Sequence, residues 1–136
     1  MIEHPNSLLV HQCLQAIQRG DTETLRALWA EDLVWHVQGA SPWQGDIHGI
    51  DAIFDYLAEI GEIGEIGEIG SGYSTSIEDV MVSNERAAIV CHIKAGLAGR
   101  TLDAEYVLIC RIARRRIQEI VSLPLTPERV AEFWRD

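Results

Sequence analysis

From Tyr73 onward the chain is a run of long β-prone segments joined by links too short for anything but hairpins. That pattern restricts this half to an antiparallel meander. Tyr73 to Val82 alternates loosely and ends at Ser83-Asn84-Glu85. Ala87 to Ala95 follows, turned back by Gly96 to Gly99. Thr101 to Ile112, the basic turn at Arg114-Arg115-Arg116, and Ile117 to Leu123 complete the series.

Helical patterns flank the meander. Leu9, Val10, Cys13, Leu14 and Ile17 recur at helical spacing over residues 6–19, with Asn6 or Ser7 as the cap and Gly20 as the stop. Asp21 caps a second helix that buries Leu25, Leu28 and Trp29. Leu33 to Gln38 reads as a short strand, and its alternation separates Leu33, Trp35 and Val37 from Val34, His36 and Gln38. The Gly39 to Gly45 segment is a loop by its Gly and Pro. A third helix begins near Gly49-Ile50-Asp51, with Ile53, Phe54, Leu57 and Ile60 as its stripe. Thr126 and Pro127 start a last helix, packed by Val130, Phe133 and Trp134. Helices set apart from an antiparallel sheet make an α+β domain. The expectation is a single domain over residues 1–136: a curved antiparallel sheet wrapped over three to four helices, leaving a cone with an apolar pocket inside.

Residues 59–70 are four copies of Glu-Ile-Gly. Period three suits a helix poorly, and each Gly costs about 1 kcal/mol against Ala there. The repeat is expected to be a surface insertion. The sharper alternative is a flap over the pocket mouth with Ile as its apolar side.

The net charge of −10 argues against nucleic acid and anionic membranes as partners. No apolar run reaches the length of a membrane span. Cys13, Cys91 and Cys110 are odd in number, widely separated and in apolar contexts, which suits reduced core thiols and a cytoplasmic protein. No two His have a metal-ligand spacing, so neither a metal nor a cofactor is expected.

Several segments together carry a family likeness. They are Gly20-Asp21, Ala30-Glu-Asp-Leu-Val-Trp-His-Val37, Gly39, Gly45-Asp46, His48-Gly49-Ile50-Asp51-Ala52-Ile53, Gly99-Arg-Thr-Leu-Asp103 and Ala131-Glu-Phe-Trp134. Through them the chain resembles the SnoaL-like, ketosteroid isomerase-like branch of the NTF2-like superfamily, which includes polyketide cyclases and limonene-epoxide hydrolases. The repeat and the triple-Arg turn depart from that pattern. The resemblance implies a cone fold, often a homodimer, and a pocket that takes a small apolar molecule. It does not carry over the best-known active sites. Where isomerase relatives keep an Asp base and two oxyanion donors, this chain has Val37, Cys13 and Leu108. The Asp-Arg-Asp set of the epoxide hydrolases falls near Ile89, Cys91 and Ser122, so it is lost as well.

The expected ligand-contacting residues are Trp35, Val37, Trp43, Phe54, Cys91, Tyr106, Leu108, Ile120 and Ser122, with Ile89 on the same wall. Tyr106 and Ser122 are its best polar groups and, with His36, the only catalytic candidates. Tyr106 is read either as a donor to a ligand carbonyl or as bonded to neighbouring backbone. His36 and His92 alternate onto the outer face, and a register shifted by one would turn His36 inward as a base. His48 shapes the turn before the third helix. Asp103, Glu105 and Arg111 share the outer face and suit ion pairing. Val107, Ile109, Val121 and Leu123 form an apolar outer stripe that points to a dimer. Two functions follow: a small-ligand protein capable of isomerase, cyclase or epoxide-hydrolase-like proton transfer, or a non-catalytic dimeric scaffold whose cavity is filled by its own side chains.

Overall fold

The computed structural model describes residues 4–66, 72–97 and 99–135. Two helices open the chain, α1 (Pro5–Arg19) and α2 (Thr22–Leu28), followed by β1 (Trp29–Val37), β2 (Gly45–His48) and α3 (Ile50–Ile66). The meander is β3 (Gly72–Val82), β4 (Arg86–Leu97), β5 (Arg100–Ala113) and β6 (Arg116–Pro124), and α4 (Pro127–Phe133) closes it. Gly20 takes a left-handed conformation at φ 67° and ends α1. Asp21 accepts a hydrogen bond from the Thr24 amide, so α2 starts one residue later.

All the strands join one sheet in the order β2-β1-β6-β5-β4-β3. The meander is antiparallel throughout, as expected. The sheet as a whole is mixed, because β1 lies parallel to β6, with Trp35 opposite Ile120 and Val37 opposite Ser122. Register shifts between Ile77 and Asp79, between Arg111 and Ile112, and between Trp29 and Val34 mark the bulges that let such a sheet bend around its helices.

The inner face carries the apolar half of each alternation. Leu33, Trp35, Val37, Ile89, Cys91, Ile93, Leu102, Ala104, Cys110, Ile112, Ile117 and Ile120 are all buried there. The core divides in two. A large cluster packs α1, α2 and α3 through Leu9, Val10, Cys13, Leu25 and Ile53 against the centre of the sheet. A smaller one packs Val130 and Phe133 of α4 against Ile93, Ala95, Leu102 and Ala104 at the far ends of β4 and β5. Each fully buried Leu, Ile or Val contributes about 1.5–3 kcal/mol. Arg100 donates to the Phe133 carbonyl at 3.1 Å and ties α4 to β5.

Several expectations need correcting. β2 went unrecognised because Gly-Asp-Ile-His has no alternating apolar face, yet it pairs antiparallel with β1 from Val34 to Val37. Trp29 belongs to β1 rather than to the second helix. The cap of α1 is His4, whose Nδ1 accepts from the Asn6 amide, in place of Asn6 or Ser7. Thr126 holds the cap position of α4, but its buried hydroxyl has no partner among the described residues. The first units of the Glu-Ile-Gly repeat are helical, against the expectation from their period: α3 runs to Ile66. Propagating an established helix adds one hydrogen bond per residue, which offsets the Gly cost. The burial of Ile63 and Ile66, and residues 67–71 altogether, lie outside the described residues. None of the described helices is long and apolar enough to cross a membrane.

Two backbone positions give a stability prediction. A Cβ on Gly39, at φ +87°, would stand 2.8 Å from Pro124 Cγ, so Gly39→Ala should destabilise by roughly 1–3 kcal/mol. Arg114 and Arg115 turn β5 into β6 at φ 55° and 61°, where a β-carbon is strained. Arg115→Gly should therefore stabilise by about 0.5–1 kcal/mol. Urea titrations of both variants check the two signs.

Candidate functional site

The seam between the two core clusters holds a small cavity. Val37 and Gln38 come to it from the end of β1, Ile93 from β4, Leu102 and Tyr106 from β5, and Ser122 from β6. Tyr56 and Ile60 reach it from α3, Trp134 from the end of α4, and Ser41 and Trp43 from the loop after β1. The cavity measures about 40 Å³. That admits water and excludes a polycyclic ligand as the side chains stand.

Aromatic rings account for the small volume. Phe54 stacks on Trp29 at 6.0 Å, Trp29 meets Trp35 edge-on at 6.2 Å, and Trp35 meets Tyr56 at 5.6 Å. The series continues from Tyr56 to Trp43 at 5.8 Å, to Trp134 at 5.3 Å and to Phe133 at 4.8 Å. Edge-to-face pairs of this kind are worth about 0.5–1.5 kcal/mol beyond the area they bury. One line of rings thus runs from the helical core to the cavity mouth.

The polar groups of the cavity are neutral. Burial pushes the Tyr106 phenol up to about 12, with the nearby Cys91 thiol adding to the shift. Burial raises Tyr56 further still, with Tyr106 as a second cause. Both phenols are therefore proton donors at neutral pH. Ser122 is buried at 6% exposure. The hydroxyls of Tyr56, Tyr106 and Ser122 engage no side-chain or backbone group among the described residues. No Asp, Glu, His or Lys lines the cavity among those residues. The arrangement can donate hydrogen bonds to an oxygen held against an apolar wall, and it brings no base of its own.

Of the residues expected at the site, Val37, Trp43, Tyr106 and Ser122 line the cavity. Trp35, Phe54, Leu108 and Ile120 do not: they lie deeper on the inner side, in or against the larger core cluster. Cys91 is likewise buried on the inner face, its Sγ donating to the Tyr106 carbonyl at 3.6 Å. Alternation assigns a residue to a face and says nothing of depth along it. Gln38, Ser41, Tyr56, Ile60, Ile93 and Leu102 are not among the expected residues, and Trp134 is expected only to pack the last helix. Tyr56 carried the one usable signal, a lone phenol beside a helix stripe that is otherwise hydrocarbon.

His36 is excluded from the cavity, and the shifted register that would turn it inward does not occur. It stands on the outer face, Nδ1 at 2.7 Å from Asp46 and Nε2 at 2.8 Å from Glu119. His92 repeats the arrangement, Nδ1 at 3.2 Å from Glu78 and Nε2 against Asp103. A ring with a carboxylate on each nitrogen donates from both, which the imidazolium alone can do. Because the carboxylates sit at opposite nitrogens, the three groups diverge. Among the described residues no three His, Cys, Asp or Glu side chains are placed to share a metal ion. His48 is exposed at the end of β2, just before Gly49 and α3.

These clamps fix a pH dependence. The hydrogen bond to Asp46 is the main cause that raises His36 above 6.5, followed by that to Glu119. Asp103 does the same for His92. Both folded-state values lie above the unfolded one. The stabilisation is thus complete below about pH 6.5 and fades as pH rises through the elevated folded values. Glu119 is shifted the other way, held below 4.5 chiefly by the His36 bond, so its share is present above that value and is lost as pH falls. Urea unfolding should give a higher midpoint at pH 6 than at pH 9, and the slope should flatten in His36→Gln/His92→Gln. Equal slopes in the two proteins would refute the assignment.

Comparison with known proteins agrees with the architecture. The sequence profile of the SnoaL-like domain matches residues 10–120. An uncharacterised protein of Mycobacterium tuberculosis is 26% identical over 127 residues, covering 93% of each chain. Bal32a, from a soil-derived mobile gene cassette, superposes with a TM-score of 0.83 at 25% identity, covering 96% of this chain and 97% of its own. A Xanthomonas campestris protein of unknown function with a cystatin-like fold gives a TM-score of 0.77 at 25% identity, with 94% and 96% covered. The mixed sheet wrapped on its helices, with a cavity at the seam, is thus the SnoaL-like form of the NTF2-like fold, and the chain belongs to the SnoaL-like domain family.

Proposed function

We propose that this protein holds a small, largely apolar molecule carrying a carbonyl or similar acceptor oxygen. Tyr106 and Ser122 donate to that oxygen, and Val37, Ile93 and Leu102 pack its apolar part. One observation carries this reading: Tyr56, Tyr106 and Ser122 line one cavity with largely apolar walls, and their hydroxyls have no partner among the described residues. Each can therefore hydrogen-bond a ligand or water oxygen, worth about 0.5–1.5 kcal/mol. Neutral phenols aimed at a carbonyl polarise it. An isomerisation or cyclisation here would draw its base from the substrate or from solvent.

A second reading, a scaffold whose cavity is filled by its own rings, draws support from the aromatic line that ends in Trp43 and Trp134. Titration with 1-indanone and 1-tetralone separates the two. On the ligand reading the side chains that close the cavity give way, these ketones bind and raise the Tm, and Tyr106→Phe weakens binding by about fivefold, the equivalent of one neutral hydrogen bond. The scaffold reading takes over when neither ketone binds at millimolar concentration.

A homodimer through the outer sheet face is part of the same proposal. Val107, Val121 and Leu123 are only half-buried there, and Ile109 is 38% exposed. An apolar stripe of that kind is what a partner surface would cover. Light scattering at micromolar concentration should report twice the chain mass; a monomer there sinks the dimer.

A further inference from the structure

Trp43 has no part in that binding scheme, yet it occupies the cavity mouth. Its ring stands edge-on to Tyr56 at 5.8 Å and 69°, and to Trp134 at 5.3 Å and 84°. Its indole N–H donates to Glu59 Oε2 on α3 at 2.6 Å, a charge-assisted bond. Its own amide donates to Ser41 Oγ at 3.2 Å. The ring is held by two edge contacts and one donated hydrogen bond, all of which a free molecule can reproduce.

The segment that carries it has a glycine at each end. Residues 40–44 run between Gly39 at φ +87° and Gly45 at φ +122°. Gly39 is packed against Pro124 and fixes the base of the loop, whereas a Cβ on Gly45 would meet nothing within 4 Å. Neither β1 nor β2 has to break for residues 40–44 to swing on the Gly45 side.

We propose that Trp43 is the resident occupant of a subsite for a planar aromatic group bearing one hydrogen-bond donor, such as a phenol or an indole. The incoming ring takes the slot between Tyr56 and Trp134, its donor turns to Glu59, and Trp43 swings out. This deepens the small-ligand reading above and rests on it: the slot opens into the cavity that Tyr106 and Ser122 line. Trp43 then acts as an internal competitor, and apparent affinity falls in proportion to the fraction of molecules with the slot empty.

The test uses 2-naphthol, which has the ring and the donor, and naphthalene, which has the ring alone. Trp43→Ala should bind 2-naphthol at least about tenfold more tightly than the wild type, because the competitor is gone. Adding Glu59→Ala should bring 2-naphthol and naphthalene to within about twofold of each other. Trp43→Phe keeps a ring but loses the N–H, so it should fall between wild type and Trp43→Ala. It also serves where circular dichroism shows the alanine variant misfolded. Affinity unchanged in the folded variants overturns the subsite. Titrating 1-indanone in parallel separates the two ideas. Tyr106-dependent ketone binding without any gain on Trp43 replacement retires the subsite alone. A gain for 2-naphthol with no ketone binding retires the Tyr106–Ser122 reading.

Discussion

The parallel ladder between β1 and β6 is the constraint on which the rest of the molecule depends. Without it the N-terminal half would meet the meander through helix packing alone, with no shared hydrogen-bonded ladder. The ladder places Trp35 beside Ile120 and Val37 beside Ser122, so the first strand joins the β6 side of the meander, with only β2 outside it. That puts α1, α2 and α3 under the sheet, where their stripes meet the inner side chains of β4 and β5. It also aligns one polar side chain, Ser122, with the point where β1 ends and its loop leaves. Parallel pairing across so long a stretch of sequence is entropically slow to form. It is secured by burial, since Trp29, Leu33 and Trp35 on β1 are each at most 5% exposed.

The same ladder explains why the cavity is small. β1 carries Trp35 into the core and hands the chain to a loop that folds Trp43 back over the mouth. α3 contributes Phe54 and Tyr56 to the same row, and α4 adds Phe133 and Trp134 from the opposite side. Rings from four separate segments meet along the seam between the two core clusters. The phenols of Tyr56 and Tyr106 line the cavity left there. Burial that keeps them neutral also stops them ionising into bases, so the seam gathers donors only.

Much of this was legible in the sequence for a simple reason: side-chain alternation along a strand has period two, and here it is clean. It placed Val37, Tyr106 and Ser122 inward, and His36, His92, Asp103 and Arg111 outward. Depth was not legible, because Leu108 and Tyr106 differ by one repeat of the same alternation and yet one packs on the larger core and the other lines the cavity. Nor was the parallel pairing, since residues 29–37 state their faces but not their neighbour. β2 escaped notice for want of apolar residues, and Tyr56 because its helix stripe reads as ordinary core. The run of α3 into the Glu-Ile-Gly repeat shows local propensity giving way to a helix already begun.

The separation of chemistry between the two faces of the sheet follows from the same alternation. The His and carboxylate side chains of these strands stand outside, where His36 and His92 each lie between two carboxylates that raise their pKa values. The hydroxyls of Tyr106 and Ser122 stand on the inner side. A slip of one residue in β1 would exchange Val37 for His36 and give the cavity the base it lacks. The ladder forbids that slip twice over. It would bring Leu33, Trp35 and Val37 out to solvent, and it would carry His36 away from both Asp46 and Glu119, leaving those carboxylates without their shared cation. The His36 clamp therefore acts on the cavity from the far side of the sheet: by helping to hold β1 in register it keeps the interior apolar, neutral and without a base.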